Sequence, residues 1–245
     1  MKKIFAILSL IALAFVGFFK GEAMATEKQT VIILLGPPGA GKGTHAVELS
    51  KKLHLPHIST GDILRENLRK QTPLGERAKT FMDVGKLVPD DLVIQMLLDR
   101  VSDTDCQKGY ILDGFPRTLA QAKMLDEHLK NRGEVVTVNL SVSDDLLVER
   151  ITGRLVCKKC GTPYHKVFSP PKKDSLCDRC QGELYHRDDD NEKVVKERLA
   201  VYRSQTEPLI NYYKEKKGLF YEVLAAGNKS EIFENLLHTI QKSIK

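Results

Sequence analysis

The stretch that most constrains this chain is residues 31–44. Residues 31–35 are five consecutive apolar side chains, and residues 36–43 hold four glycines and a lysine. A helical pattern follows from Thr44. An apolar run without alternation is typical of a buried strand in a parallel sheet. Glycines let several backbone N–H groups converge on one anion, and a helix N-terminus adds positive charge. The order strand, loop, helix therefore predicts a phosphate-binding loop.

Length and composition place the chain among globular proteins. Its 245 residues are 42% hydrophobic and 29% charged, which suits one α/β domain with small insertions. The sequence has no internal repeat and no long low-complexity tract. Because the formal net charge of +6 is mild, composition by itself does not indicate a nucleic-acid-binding protein.

Strands alternate with helices along the rest of the chain. Such alternation predicts a parallel sheet with right-handed crossovers. The extended segments expected to build it are residues 31–35, 109–113, 135–140 and 219–223, together with a short piece within residues 56–62.

A second group of polar residues follows one of these strands. Asp113, Gly114 and Arg117 come at its expected carboxyl end, which is where α/β sheets bind ligands. Gln121 is one helical turn beyond Arg117. An arginine can clamp a phosphate through two hydrogen bonds, and a glutamine can pair with the edge of a base. The group predicts a second phosphate or nucleotide site.

Four further arginines are candidates for phosphate contacts. A helix is expected over residues 144–153. Arg150 and Arg154 are spaced i, i+4, so they are expected to share a helix face. Arg187 and Arg198 lie beyond a loop-rich region, residues 154–190. Taken singly, each of these arginines is more readily explained as a solvated surface charge.

The loop-rich region contains two C-x-x-C pairs separated by sixteen residues. This spacing predicts a closed, structural zinc site with four thiolates. Paired disulfides are the alternative if the protein is exported, and iron in place of zinc is left open. His165 and His186 are not expected to be ligands, and Cys106 is expected to be a plain thiol. The four expected ligands are Cys157, Cys160, Cys177 and Cys180.

The phosphate-binding loop departs from the general motif because Gly43 directly follows Lys42 and the threonine comes one residue later. This form of the loop, with residues 113–117 and Gln121, resembles the adenylate kinase family over about residues 30–243. The resemblance implies the α/β fold of phosphate-loop nucleoside-monophosphate kinases, with a parallel five-stranded sheet flanked by helices. It also implies the reaction ATP + AMP ⇌ 2 ADP, with Mg²⁺ accompanying ATP.

Carried over residue by residue, the resemblance implies three overlapping sets of site residues. The ATP-binding set is Gly39, Ala40, Gly41, Lys42, Gly43, Thr44, Arg154, Pro163, Tyr164 and Lys229. The AMP-binding set is Thr60, Arg65, Lys86, Leu87, Val88, Gly114, Phe115, Pro116, Arg117, Gln121, Arg187 and Arg198. The catalytic set is Lys42, Asp113, Arg150, Arg154, Arg187 and Arg198.

The resemblance also assigns roles. Asp113 is expected to orient Mg²⁺ through metal-bound water. Arg150 and Arg154 are expected to meet the ATP phosphates, and Arg187 and Arg198 the AMP phosphate and the moving phosphoryl group. Two mobile segments are implied. Residues 59–88 would bind AMP, and residues 153–190 would form a lid stapled by zinc, as in zinc-bearing bacterial adenylate kinases.

The first 25 residues differ from the rest of the chain. Lys2 and Lys3 precede an apolar stretch over residues 4–19, and Ala23-Met24-Ala25 matches a small-x-small cleavage site. This pattern is typical of a secretory signal peptide, with a signal anchor as the variant. An ATP-dependent enzyme is expected in the cytoplasm, however, and translation could start at Met24. We therefore expect a cytoplasmic protein with its core in residues 26–245, and export or membrane anchoring as the alternative.

Two other functions remain open from the sequence. One is a related kinase acting on UMP, CMP or GMP, which Thr60 and Gln121 disfavour by resemblance. The other is a zinc-ribbon ATPase that binds nucleic acid. Only Tyr164 and Phe168 could stack on bases near the cysteines, so this second function is disfavoured. No nucleic-acid partner is expected, no membrane partner is expected if residues 1–25 are absent or cleaved, and a monomer is expected.

Overall fold

The computed structural model describes residues 28–130, 133–216 and 219–244. The expectations for the signal-like segment and the start site fall on residues 1–25 and lie outside this part of the chain. Among the helices of the described ranges, none has both the length and the apolar character needed to cross a membrane.

The described residues form strands and helices in alternation. In chain order the strands are β1 (Gln29–Leu35), β2 (His57–Ser59), β3 (Gly109–Asp113), β4 (Gly133–Ser141), β5 (Arg154–Cys157), β6 (Pro163–His165), β7 (Leu184–Tyr185) and β8 (Leu219–Leu224). The α-helices are α1 (Lys42–Leu53), α2 (Thr60–Arg69), α3 (Pro73–Met82), α4 (Asp90–Val101), α5 (Leu119–Leu129), α6 (Asp144–Thr152), α7 (Glu192–Val201), α8 (Pro208–Glu215) and α9 (Lys229–Ser243). A π-helical segment, Tyr202–Thr206, joins α7 to α8.

Five of these strands form one parallel sheet in the order β2-β3-β1-β4-β8, so the predicted five-stranded parallel sheet is confirmed. β1 lies at its centre, with Ile32 opposite Ile111 of β3 and Val136 of β4. The carboxyl ends of β1 and β3 are therefore adjacent. This adjacency brings the phosphate-binding loop beside residues 113–117.

The sheet is apolar on both faces, which explains why the run in β1 does not alternate. Val31, Ile33 and Leu35 pack on the side of helices α2–α5 and α8. Ile32 and Leu34 pack on the opposite side, against α1 and α9. All five are at most 3% exposed. Full burial of such a side chain contributes about 1.5–3 kcal/mol, so β1 anchors both halves of the core.

A smaller antiparallel sheet, in the order β6-β5-β7, carries the cysteine pairs. Strand β5 begins at Arg154, so Arg154 does not continue helix α6. This placement corrects a prediction made from the sequence. The helix ends at Thr152, and Gly153 caps it. A Cβ atom on Gly153 would lie 2.3 Å from Nε2 of His165. Arg154 pairs with His165 in the sheet. The shared helix face expected for Arg150 and Arg154 is therefore wrong.

Candidate active site

A cavity of about 650 Å³ opens at the carboxyl ends of β1 and β3. The phosphate-binding loop and the start of α1 form its floor. Helix α2 and residues 85–88 line one side, and β6 with residues 227–229 lines another. Most of the residues that the sequence nominated therefore meet in one place. Phe115 is an exception, since its side chain is only 1% exposed and packs in the core.

The loop follows the geometry that its glycines permit. Gly36, Gly39 and Gly41 have φ values of 136°, 89° and 91°, a region that other residues rarely adopt. A Cβ on Gly36 would also lie 2.6 Å from the carbonyl oxygen of Leu140. Gly41 starts helix α1 without a side-chain cap. The first N–H groups of the helix consequently face the cavity without a capping side chain, as an anion site requires.

Lys42 lies inside this loop. Its Nζ donates hydrogen bonds to the carbonyl oxygens of Gly36, at 2.7 Å, and Pro37, at 2.9 Å. Burial lowers the pKa of Lys42 to about 8; the nearby Asp113 opposes the shift and neighbouring arginines add to it. The ammonium group is thus held without a full countercharge and would gain from a bound phosphate.

Asp113 is paired with a histidine that the sequence analysis did not nominate. Oδ2 of Asp113 lies 3.3 Å from Nε2 of His57. Burial opposes both charges, but the hydrogen bond raises the pKa of His57 and helps hold the pKa of Asp113 well below its usual range. A Cβ on Gly43 would lie 3.1 Å from Oδ2 of Asp113. The absent side chain at position 43 therefore leaves room beside the carboxylate.

Six arginines line the cavity. Arg150 is one of them, and the other five are Arg65, Arg117, Arg154, Arg187 and Arg198. Two carboxylates hold part of this second set in place. Asp190, whose side chain is 1% exposed, accepts hydrogen bonds from both Arg154 and Arg198. Asp189 lies 3.0 Å from Arg198 and 3.9 Å from Arg65. Two of the three consecutive aspartates that follow Arg187 are therefore partners of arginines.

The remaining two arginines have fewer countercharges. Arg187 donates to Asp62 at 3.0 Å, and burial with neighbouring arginines lowers the pKa of Arg187 to about 9. Arg117 donates through Nε to the carbonyl oxygen of Gly114 at 2.8 Å. Burial, followed by the charge of Arg198, lowers its pKa to about 10. The local electrostatics therefore favour a polyanionic ligand.

Arg150 lies apart from this group. Its Nη1 donates to the carbonyl oxygen of Ala225 at 2.9 Å, and its guanidinium lies 5.9 Å from the ring centroid of Phe168. Lys229, near the same corner of the cavity, pairs with Glu48 at 2.7 Å. Arg150 thus contacts the turn after β8, while Arg154 joins the carboxylate cluster.

The side of the cavity expected to take AMP is tied together by short hydrogen bonds. Thr60 donates through Oγ1 to the carbonyl oxygen of Gly114 at 2.8 Å. Oε1 of Gln121 accepts from the backbone N–H of Arg117 at 2.8 Å. Gly114 has a φ of 76°, which turns the chain sharply after β3. Residues 86–88 complete this side.

The four cysteines form a cluster that fits a metal. Their Sγ atoms all lie within 4.8 Å of one another, with Cys157 and Cys180 at 3.5 Å and Cys160 and Cys177 at 3.6 Å. Thiolates around zinc, with bonds of about 2.3 Å, would be about 3.8 Å apart. All four are free thiols, so the disulfide alternative does not describe this structure.

Neighbouring groups favour the thiolate form of Cys177. The hydroxyl of Tyr164 lies 3.5 Å from Sγ of Cys177 and accepts from the backbone N–H of Asp178. Although burial opposes ionisation, hydrogen bonds from Tyr164 and from backbone N–H groups lower the pKa of the Cys177 thiol to about 6. His165 instead faces the backbone of Glu149 and residues 167–168, which agrees with its exclusion as a ligand.

Fold and site together define an α/β protein whose phosphate-binding loop and arginine cluster face one cavity at the carboxyl edge of a parallel sheet. Residues 34–218 match the family model for adenylate kinase. Adenylate kinases from Caldicellulosiruptor bescii and Archaeoglobus fulgidus are each 54% identical to this chain. The alignments cover 81% and 86% of this chain, and 92% and 98% of the relatives. The chain belongs to the adenylate kinase family, a family of phosphotransferases.

Proposed function

We propose that this protein transfers a phosphoryl group from ATP to AMP, ATP + AMP ⇌ 2 ADP, and so balances the adenine nucleotides. The convergence of Lys42, an open helix N-terminus and six arginines on one cavity carries the proposal. Phosphoryl transfer places charge on the oxygens of the moving group, so fixed positive charge is the main requirement. No general base is needed, because the phosphate of AMP is already anionic.

The roles follow from position. Lys42 and the amides of residues 39–44 hold the phosphates of ATP, and Arg154, Arg187 and Arg198 neutralise the transferring group. Thr60, Arg65, residues 86–88, Gly114, Arg117 and Gln121 hold AMP. Enclosure by residues 59–88 and by the proposed lid, residues 153–190, excludes water that would otherwise accept the phosphoryl group.

Two metals belong to this proposal. Mg²⁺ prefers oxygen ligands and bound water, and Asp113, with free space at Gly43 beside its carboxylate, offers such a place. When bound, Mg²⁺ would neutralise phosphate charge. Zinc would be held by Cys157, Cys160, Cys177 and Cys180, where it would stabilise the small sheet of the proposed lid.

The proposed activity is tested with a panel of acceptors. Purified protein is given ATP and Mg²⁺ with AMP, GMP, CMP or UMP, and formation of the diphosphates is measured. We expect kcat/KM for AMP to exceed the others by at least about tenfold, the value of one base-specific hydrogen bond. Preference for another monophosphate would replace this proposal with the related kinase. Salt-dependent binding to single-stranded DNA without transfer would favour the nucleic-acid-binding ATPase.

We further propose that the protein acts in the cytoplasm as a monomer. The expected need for ATP supports the compartment. Intact mass of protein purified from its native cell, recorded with its fraction, tests it. A cytosolic mass beginning at Met24 or Ala25 supports the proposal. A mature chain outside the inner membrane, or a full-length membrane-bound one, would replace it with export or anchoring through residues 1–25.

A further inference from the structure

The carboxamide of Gln121 is held at both ends by the protein itself. Gln121 is 2% exposed. Its Oε1 accepts from the backbone N–H of Arg117 at 2.8 Å, and its Nε2 donates to Oδ1 of Asp90 at 2.7 Å. The second carboxylate oxygen of Asp90 accepts from Oγ1 of Thr118 at 2.8 Å. Thr118 in turn accepts from the backbone N–H of Gln121 and starts helix α5. Asp90 therefore joins the start of α4 to the start of α5.

These partners allow only one orientation of the amide. A backbone N–H can only donate and a carboxylate can only accept, so Oε1 must face Arg117 and Nε2 must face Asp90. One N–H and one oxygen lone pair of Gln121 then remain for a ligand, and the residue lines the cavity. Such an edge matches a purine with an amino group at position 6 and an unprotonated neighbouring ring nitrogen. A 6-oxo purine presents the reverse pattern.

We propose that Asp90 is a positioning residue that makes the site select 6-aminopurine over 6-oxopurine monophosphates, acting through Gln121. The inference rests on the proposed function, because it takes the acceptor to be a nucleoside monophosphate. Asp90 also directly follows the segment 86–89, so it connects the wall of the cavity to the base-reading side chain.

A role at the helix start alone does not explain this geometry. An acidic residue in the first turn of α4 interacts favourably with the helix dipole, but Asp91 occupies the same turn and is exposed. Both carboxylate oxygens of Asp90 are instead directed to residues of the Thr118–Gln121 turn. Asp91 thus provides a matched control for the loss of one negative charge from the same helix end.

The test compares Asp90→Ala, Asp90→Asn and Asp91→Ala in the full chain. The measurements are KM for AMP, KM for ATP, the melting temperature, and the ratio of kcat/KM for AMP to that for IMP.

We expect Asp90→Ala to lower the AMP:IMP ratio about tenfold, the value of one well-placed hydrogen bond. The same variant should raise KM for AMP and leave KM for ATP unchanged. Asp90→Asn retains an acceptor for Nε2 of Gln121 and should recover most of the ratio. Asp91→Ala should leave the ratio unchanged.

A double-mutant cycle shows whether the effect passes through Gln121. In a Gln121→Leu background, Asp90→Ala should leave the AMP:IMP ratio where Gln121→Leu alone puts it. If Asp90→Ala does not fold, Asp90→Ser repeats the test, because serine keeps a polar side chain in the first turn of α4 and is too short to bridge to Gln121.

An unchanged ratio in Asp90→Ala or Asp90→Ser, or an equal fall in the Gln121→Leu background, would overturn the inference. Equal increases in KM for AMP and ATP would do the same, since they would indicate a general structural role. A wild-type protein that fails to phosphorylate AMP would instead overturn the proposed function, so the two failures are distinguishable.

Discussion

The ammonium group of Lys42 is held in surroundings that oppose its charge. Burial lowers its pKa to about 8, whereas the same lysine in the unfolded chain keeps its ordinary value near 10.5. The charged form is therefore unfavourable in the folded protein without a ligand. This cost is complete below about pH 8, and it fades as the pH rises from 8 towards 10.5, because the folded chain then releases its proton first.

Replacing Lys42 by an uncharged residue should therefore raise the stability of the folded protein and lower its activity. We expect Lys42→Met to melt at least about 3 °C higher than wild type at pH 7, the shift that roughly 1 kcal/mol produces in a protein of this size. The difference should shrink between pH 8 and 10, while turnover falls by orders of magnitude at every pH. Thermal melts across this range and an assay of ADP formation measure both quantities. Full activity of the variant would refute the role of Lys42, and a pH-independent melting difference would refute the cost assigned to its charge.

At the scale of elements, local patterns predicted the parallel sheet and the phosphate-binding loop. The apolar run over residues 31–35 favours a buried strand by itself. The glycines that follow it permit the backbone angles of the loop. The error at Arg154 arose because the i, i+4 spacing extends past the end of α6. Arg154 instead pairs with His165 of β6, and this strand pairing does not follow from the local spacing. Likewise, the pairs His57–Asp113 and Asp90–Gln121 join residues 56 and 31 positions apart. Strand register and helix packing create such pairs, and no local pattern indicates them.

The small sheet β5–β7 is expected to depend on its cysteines for stability. Its buried apolar side chains are few, and Cys157 and Cys177 are at most 1% exposed within its core cluster. A metal that binds only the folded sheet stabilises it. We expect Cys157→Ser to lower the melting temperature by at least about 5 °C, and to lower activity much less at low temperature.

Metal content and chelation test this expectation. Wild type should carry about one zinc per chain, the stoichiometry of a four-thiolate site, and should melt lower after removal of the metal. The control is Cys106→Ser, which changes a buried thiol outside the cluster and should keep both zinc and the response to chelation. An identical melting temperature with and without metal would exclude a stabilising role for the site.

At the scale of the whole molecule, the two segments proposed to move are in contact. Asp62 of α2 pairs with Arg187, and Nη1 of Arg69, at the end of α2, donates to the carbonyl oxygen of Lys158 at 3.2 Å. Lys158 directly follows β5 in the proposed lid. Both contacts join α2 to the proposed lid, so the structure corresponds to an arrangement in which α2 and the small sheet lie together. Contacts that exist only in this arrangement favour closure.

Arg69 offers a way to weaken closure without altering the site, because its guanidinium is exposed and does not line the main cavity. We expect Arg69→Ala to raise KM for both ATP and AMP by about two- to fivefold, the value of an exposed hydrogen bond. Turnover should stay equal or rise, since lid opening and product release limit turnover in many enzymes that close over their substrates. Lys70→Ala removes a neighbouring exposed cation that pairs with Glu66 of α2, and it should change neither constant. A fall in kcat with unchanged KM would show that Arg69 supports the chemical step and would contradict a role in closure.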